Sequence, residues 1–407
     1  MNTFDFLLSS SKNTPFIIVR ITDRSGKTRC FETPLSIPVD LWNPHKQCPE
    51  NIYLKSGKKI NRCLNRLKIA LHLLLERKEV LSEKAISNCI KKTCRKSVNY
   101  PKNSLLDYIY KYIQSRMHLI KISTYRRYCV FLKLLERYEA SVMKHLMIKD
   151  VNAVFLKDFL KFGSKEYYNI STLYRTINFI KTVFNFLEKR GIRTFVYELE
   201  LPKEKNEKSI VVLNETDLKK IKQTKVSQRL KAAKDWLLIS CYTGQRISDF
   251  MKFNKTMVQK IMNKDCLLFT QQKTNKEILL PIHPEVDVIL KQNNFSFPQK
   301  LSTPTYNRHI KEIARQAHIC DTVFFNKRRG HRSVKCHIPK WQTISSHVGR
   351  RSFASNFYGK IPTALLMEAT GHSTEQMFQK YINTIDPERT LALGKYFEDI
   401  YRSKTLL

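Results

Sequence analysis

The chain has 407 residues, more than one hydrophobic core usually serves, so two or three domains are expected. Lys and Arg number 73 against 35 Asp and Glu, a formal charge of +38, while 42% of residues are hydrophobic. That balance excludes a disordered basic tail and favours a folded protein with a polyanionic partner, since so large an excess otherwise repels itself.

No apolar stretch approaches the roughly 18 residues that span a bilayer. The N-terminus carries Asp5 and no basic segment leading into an apolar run, so no signal peptide is expected. The ten Cys are irregularly placed with no CxxC pair. This argues against zinc and against a secreted disulfide framework, and for a reducing cytoplasm. His331, Cys336 and His337 lie close together but in a basic loop, and no metal site is expected there.

In chain order, Phe16 to Thr22 alternates, a turn follows at Asp23 to Gly26, and Thr28 to Thr33 returns as the second strand of a β-hairpin. Leu35 to Val39 could add a strand. From Lys59 to Glu76 apolar residues recur at helical spacing, which predicts a basic amphipathic helix. These elements make a module of residues 1–100. Residues 104–192 are nearly free of Gly and Pro. Their stripes are Leu105, Ile109, Tyr112 and Ile113; Tyr125, Tyr128, Phe131, Leu132 and Leu135; Val154, Phe155 and Phe159; and Leu173, Ile177, Ile180, Phe184 and Leu187. Four helices around one core are predicted. Basic residues crowd the polar faces, and Arg126, Arg127, Arg175 and Lys181 are candidates to face DNA. Residues 201–210 are charged, Pro-marked and aperiodic, as a linker would be. Asn214 to Asp217 then marks a helix start and opens a third domain, 211–407.

Four pieces of that domain carry chemistry. Thr243-Gly244-Gln245-Arg246 follows an apolar helix, and Arg246 opens the next one. Its guanidinium can grip two phosphate oxygens, and Asp249 lies one turn on, placed to brace a neighbour. Cys266 to Ile282 reads as a hairpin whose turn holds Lys273, with Lys276 as its rival, and a lysine leaning into a cleft can protonate a leaving alkoxide. His347 and Arg350 are three residues apart and share a helix face. Gly371-His372 ends a helix, Ser373 and Gln376 read as a capping box for the next, and Tyr381 lies two turns along it. Each piece alone has a bland reading; there are 18 Tyr, and a turn lysine is ordinarily just solvated.

The ordered set resembles the tyrosine recombinases, the phage integrase family, over roughly residues 210 to 390. The resemblance implies a multidomain, mainly α chain with small β elements. Its parts would be an arm-binding-like β module, a SAM-like four-helix core-binding domain and a mixed α/β catalytic domain. It implies site-specific recombination (integration, excision or inversion) through a 3′-phosphotyrosine, with no metal, cofactor or ATP. Tyr381 matches the nucleophile, Arg246 and Arg350 the phosphate-binding arginines, Lys273 the general acid, and His347 and His372 the two histidines. Asp249 stands where relatives often carry Glu, and Arg350-Arg351-Ser352 where many have Arg-His-Thr. The implied partners are double-stranded recombination sites and a homotetramer on two duplexes, monomeric or dimeric off DNA. Accessory DNA-bending proteins and a bacterial, nucleoid-associated cytoplasmic setting are also implied. A C-terminal segment, Leu391 to Ile400, would pack on a neighbour or on its own domain. The stretch Val323 to Arg332 is either a further DNA-touching hairpin or a solvated loop. The alternatives are type IB topoisomerase-like relaxation and a catalytically silent DNA-binding regulator.

Overall fold

The computed structural model describes residues 3–10, 14–23, 25–51, 54–77, 82–95, 100–202, 210–329, 332–382, 391 and 394. His331 and most of the Leu391 to Ile400 segment lie outside this set. The chain divides into two compact units, residues 1–204 with 328–334 and residues 205–327 with 335–407.

In the first unit, β1 (Thr3–Leu8), β2 (Phe16–Thr22) and β3 (Thr28–Ser36) form an antiparallel sheet in that order. Along β2, Ile17, Val19 and Ile21 are buried while Phe16 is exposed, the two-residue period of a strand with one covered face. Strand β1 adds the edge that the predicted hairpin lacked. The short pair β4 (Trp42–Asn43) and β5 (Cys48–Pro49) follows, so Leu35 to Val39 gives no separate strand; β3 simply runs on to Ser36. Helices α1 (Lys55–Arg77) and α2 (Glu83–Arg95) share the sheet's core through Ile60, Leu64, Leu67, Ile86 and Ile90.

The four predicted bundle helices are α3 (Leu105–Arg116), α4 (Ile122–Ser141), α5 (Ala153–Lys165) and α6 (Ile170–Glu188). Ser104, Asn152 and Asn169 cap α3, α5 and α6 by accepting from backbone N–H groups. The stripes meet in one core, with Ile109, Leu135, Phe159, Ile177, Ile180 and Phe184 fully buried. Val154 departs from its stripe and is 66% exposed, while its neighbours Phe155 and Leu156 take the core-facing side of that turn. Arg62 of α1 reaches Glu136 of α4 at 2.5 Å, and Tyr100 also bonds that carboxylate, so module and bundle share a polar seam. Arg126, Arg127 and Arg175 are exposed, Lys181 is half-buried, and none pairs with a described carboxylate.

The second unit starts at α7 (Glu215–Gln223), capped by Asn214, whose side chain accepts from the Asp217 amide at 2.9 Å. Helix α8 (Gln228–Thr243) exposes Gln228, Arg229 and Lys231 in its first turns but is buried on every side from Asp235 to Thr243, so its second half forms the centre of the domain. Around it come α9 (Ile247–Phe250), the antiparallel sheet β6 (Val258–Ile261), β7 (Lys264–Thr270) and β8 (Glu277–Pro281), then α10 (Pro284–Gln292) and α11 (Thr303–Gln316). The stretch from Val323 belongs to a two-stranded pair, β9 (Thr322–Arg329) and β10 (Arg332–Pro339), and so is a hairpin rather than a loop. The chain continues through α12 (Lys340–Thr343), α13 (Val348–Phe357), α14 (Thr363–Thr370) and α15 (Glu375–Gln379).

Helix α13 lies directly on α8. A Cβ at Gly349 would stand 2.0 Å from Ser240 Oγ and 2.8 Å from the Ser240 backbone, so only glycine admits this approach. Gly349→Ala is therefore expected to lower unfolding stability by about 1–3 kcal/mol through overpacking. The check is the urea midpoint of the full chain; a midpoint equal to that of the parent protein would contradict the close packing of α8 and α13.

Candidate active site

Two helix ends build the site. Helix α8 stops at Gly244 (φ 67°) and α14 at Gly371 (φ 71°), both in the left-handed region that glycine tolerates best. The last carbonyls of a helix lack intrahelical donors and carry its partial negative charge. Arg350 of α13 collects them: its Nη1 donates to the Gly244 carbonyl at 3.0 Å and its Nη2 to the Thr370 carbonyl at 2.7 Å. This guanidinium is completely buried and pairs with no described carboxylate. Its Nε, also buried, has no hydrogen-bond partner among the described residues.

Arg350 Nη2 also lies 3.0 Å from His372 Nε2. Arginine only donates, so Nε2 accepts and the imidazole proton sits on Nδ1. Nδ1 is 2.8 Å from Thr370 Oγ1, which donates onward to the Leu366 carbonyl at 2.6 Å. Burial first, then Arg350, Arg246 and Lys276, push the His372 pKa down to about 3. His372 is thus a neutral orienting group. Beside it stands the Tyr381 ring, with centroids 4.9 Å apart, and Arg350 Cζ is 5.4 Å from the Tyr381 centroid. Helix α15 is shorter than expected: Thr374, not Ser373, caps it, and Tyr381 lies in the turn beyond its end. The turn is held by Tyr381 N donating to the Phe378 carbonyl and by Ser355 Oγ donating to the Tyr381 carbonyl.

Arg246 caps α9 and is half-buried, and its Nη1 donates to Gln271 Oε1 at 2.9 Å. Burial, then Arg246, push the Arg350 pKa down to about 10, against the opposing influence of Tyr381 and Asp249. Asp249 is buried and fastens the hairpin instead, Oδ1 accepting from the Gln272 amide at 3.0 Å. His347 precedes α13 with its ring partly open to solvent. Burial, then Arg351, Arg350, Arg246 and Lys273, hold it below the usual histidine range. Lys273 is exposed on the turn after β7, near enough to act on His347; Lys276 of the same turn acts on His372.

Sequence reasoning missed three contributors. Arg351, noted only as a departure from relatives, is half-buried and close enough to Tyr381 for the phenol to act on its pKa. Gln245 and Gln271 are fully buried amides that tie the segments together. Gln245 was visible inside its motif, whereas Gln271 carried no signal beyond its place before Lys273. The arrangement can receive an anion between two fixed guanidinia beside a phenol. Among the described residues no group of His, Cys, Asp or Glu is placed to hold a metal.

The His372 arrangement gives a pH test. Its folded pKa lies below the unfolded value of 6.5, so its stabilising contribution is complete above that value and is lost as pH falls towards 3. Imidazole ¹⁵N NMR should show His372 protonated on Nδ1 only and not titrating between pH 8 and pH 5. A transition near the unfolded value would contradict the buried neutral assignment.

The family models agree with this layout. The "Phage integrase family" model matches residues 207–387, and the "Phage integrase SAM-like domain" model matches residues 104–193. No curated protein matches the sequence significantly. Among solved structures the chain is similar to the XerH site-specific recombinase bound to palindromic difH substrate, at 16% identity, covering 84% of this chain and 97% of that one, TM-score 0.52. It is similar to the Tn1549 transposon integrase in complex with transposon right end DNA, at 14% identity over 72% and 99%, TM-score 0.52. It is also similar to a lambda integrase dimer bound to a COC′ core site, at 16% identity over 68% and 95%, TM-score 0.53. At these identities the likeness is one of fold. Among the described residues no helix is long and apolar enough to cross a membrane. On its two matched domains and its fold, the chain belongs to the phage integrase family of tyrosine recombinases.

Proposed function

We propose that this chain performs site-specific recombination of double-stranded DNA through a 3′-phosphotyrosine on Tyr381. The observation that carries the reading is the position of Arg350, buried beside the Tyr381 ring with Arg246 close enough to depress its pKa. Attack of the Tyr381 oxygen on phosphorus forms the tyrosyl ester and breaks the bond to the 5′ oxygen. Negative charge grows on the non-bridging oxygens, where Arg246 and Arg350 receive it without reorganisation. His347, held neutral, takes or relays the phenol proton, since a free phenol with a pKa near about 10 is a weak nucleophile at neutral pH. Lys273 protonates the leaving 5′ oxygen. His372 fixes the plane of Arg350, and Asp249 fixes the hairpin that carries Lys273. The ester conserves the bond energy, so another 5′ hydroxyl can displace Tyr381 and reseal the strand without ATP.

The similar XerH, Tn1549 and lambda structures are DNA complexes, which supports duplex DNA as the partner. Arg126, Arg127, Arg175 and Lys181, on α4 and α6, are proposed to meet its backbone, where cations displace condensed counterions. Four protomers would act on two duplexes, in a DNA-associated cytoplasmic setting. The order of parts is a DNA-contacting module at 1–100, a core-binding domain at 104–192, a linker at 201–210 and a catalytic domain at 211–407.

The full chain is incubated with genomic DNA from its source cell, and fragments held in detergent-stable complexes identify the site. A labelled, nicked duplex of that sequence then gives a covalent adduct on a denaturing gel. Tyr381→Phe should give none, and Arg246→Ala should slow its formation by about 10²–10³-fold with DNA still bound. No adduct from the parent protein, or an adduct that survives Tyr381→Phe, would overturn the proposal. Strand exchange between two duplexes would distinguish recombination from topoisomerase-like relaxation.

A further inference from the structure

Gln271 is the first residue after β7 and is fully buried. Its amide is saturated. Oε1 accepts from Arg246 Nη1 at 2.9 Å and from Thr274 Oγ1 at 2.8 Å. Nε2 donates to the Thr370 carbonyl and to Gln245 Oε1, both at 3.0 Å. Arginine only donates and a carbonyl only accepts, so the amide cannot flip without setting donor against donor and acceptor against acceptor. The Thr370 carbonyl is the one that receives Arg350. Gln245 in turn donates to the Thr243 and Ala369 carbonyls at 2.8 and 2.7 Å, closing the network onto both helix ends. Gly371 makes room for it, since a Cβ there would stand 2.6 Å from Gln271 Oε1.

We propose that Gln271 is a positioning residue for DNA cleavage, setting the aim of Arg246 relative to Arg350 and tying both to the turn that carries Lys273. This rests on the recombination reading above. Gln271 itself would not touch the phosphate; it acts through Arg246. The half-buried Arg246 has no described carboxylate partner, so this amide is the acceptor that fixes it. A guanidinium displaced by an ångström loses about 10² in rate when the reacting geometry is strict.

The test compares the parent protein with Gln271→Met, which keeps the volume and removes the hydrogen bonds, and Gln271→Glu, which keeps an acceptor for Arg246 and loses both donors. Adduct formation is timed on the nicked duplex and on the same duplex with one non-bridging oxygen at the cleaved phosphate replaced by methyl. The neutral methylphosphonate develops less charge for Arg246 to answer. Both variants should bind DNA as the parent does and cleave the phosphodiester about 10²-fold more slowly. Their deficit should largely vanish on the methylphosphonate. If one variant proves unfolded by circular dichroism, the other is read alone. Parent-like rates on the phosphodiester would overturn the proposal, and so would an equal deficit on both duplexes, which marks a merely structural role. Absence of an adduct from the parent protein would count against the recombination reading instead.

Discussion

A buried guanidinium with no carboxylate partner has to be held by dipoles. Arg350 is placed where two helices end, and their terminal carbonyls receive its N–H groups. A carboxylate in that place would neutralise the cation and leave nothing for a phosphate. Carbonyls accept from both terminal nitrogens without placing a full negative charge against the cation. The two glycines that stop α8 and α14, the close seat of α13 on α8, and the tautomer of His372 all serve this one contact.

The electrostatics follow from it. Arg246 is brought alongside by a neutral amide, and its charge works against that of the buried Arg350. That repulsion is an unfavourable term that, on the proposed reading, an entering phosphate would relieve. The same field, with burial, keeps both histidines neutral. Neutral histidines can donate, accept or relay a proton without competing for the phosphate. On the proposed reading, the site is thereby prepared for charge that arrives with the substrate and grows during reaction.

Much of this was legible in the sequence, for identifiable reasons. The bundle helices are long and their apolar positions keep one period, so Leu105 to Leu187 could be assigned before any contact was known. Arg246, Arg350, His372 and Tyr381 lie close together, an arrangement recognised from the order of short motifs rather than from any one of them. Strand β6 was not legible, because Val258 to Ile261 owes its conformation to pairing with β7 rather than to its own pattern. The start of α15 was placed one residue early, since Ser373 and Thr374 both offer a cap oxygen, and nothing in the local pattern marks its end at Gln379, before Tyr381. Gln271 could not be found at all. Its meaning exists only when residues 26 before it and 99 after it converge on one amide.

The most direct test is to identify the amino acid joined to DNA. The covalent complex formed with a nicked duplex is trimmed by nuclease, digested by protease and read by tandem mass spectrometry. The account predicts a nucleotide attached through its 3′ phosphate to the peptide containing Tyr381. Attachment at any other residue, or through a 5′ phosphate, would contradict it.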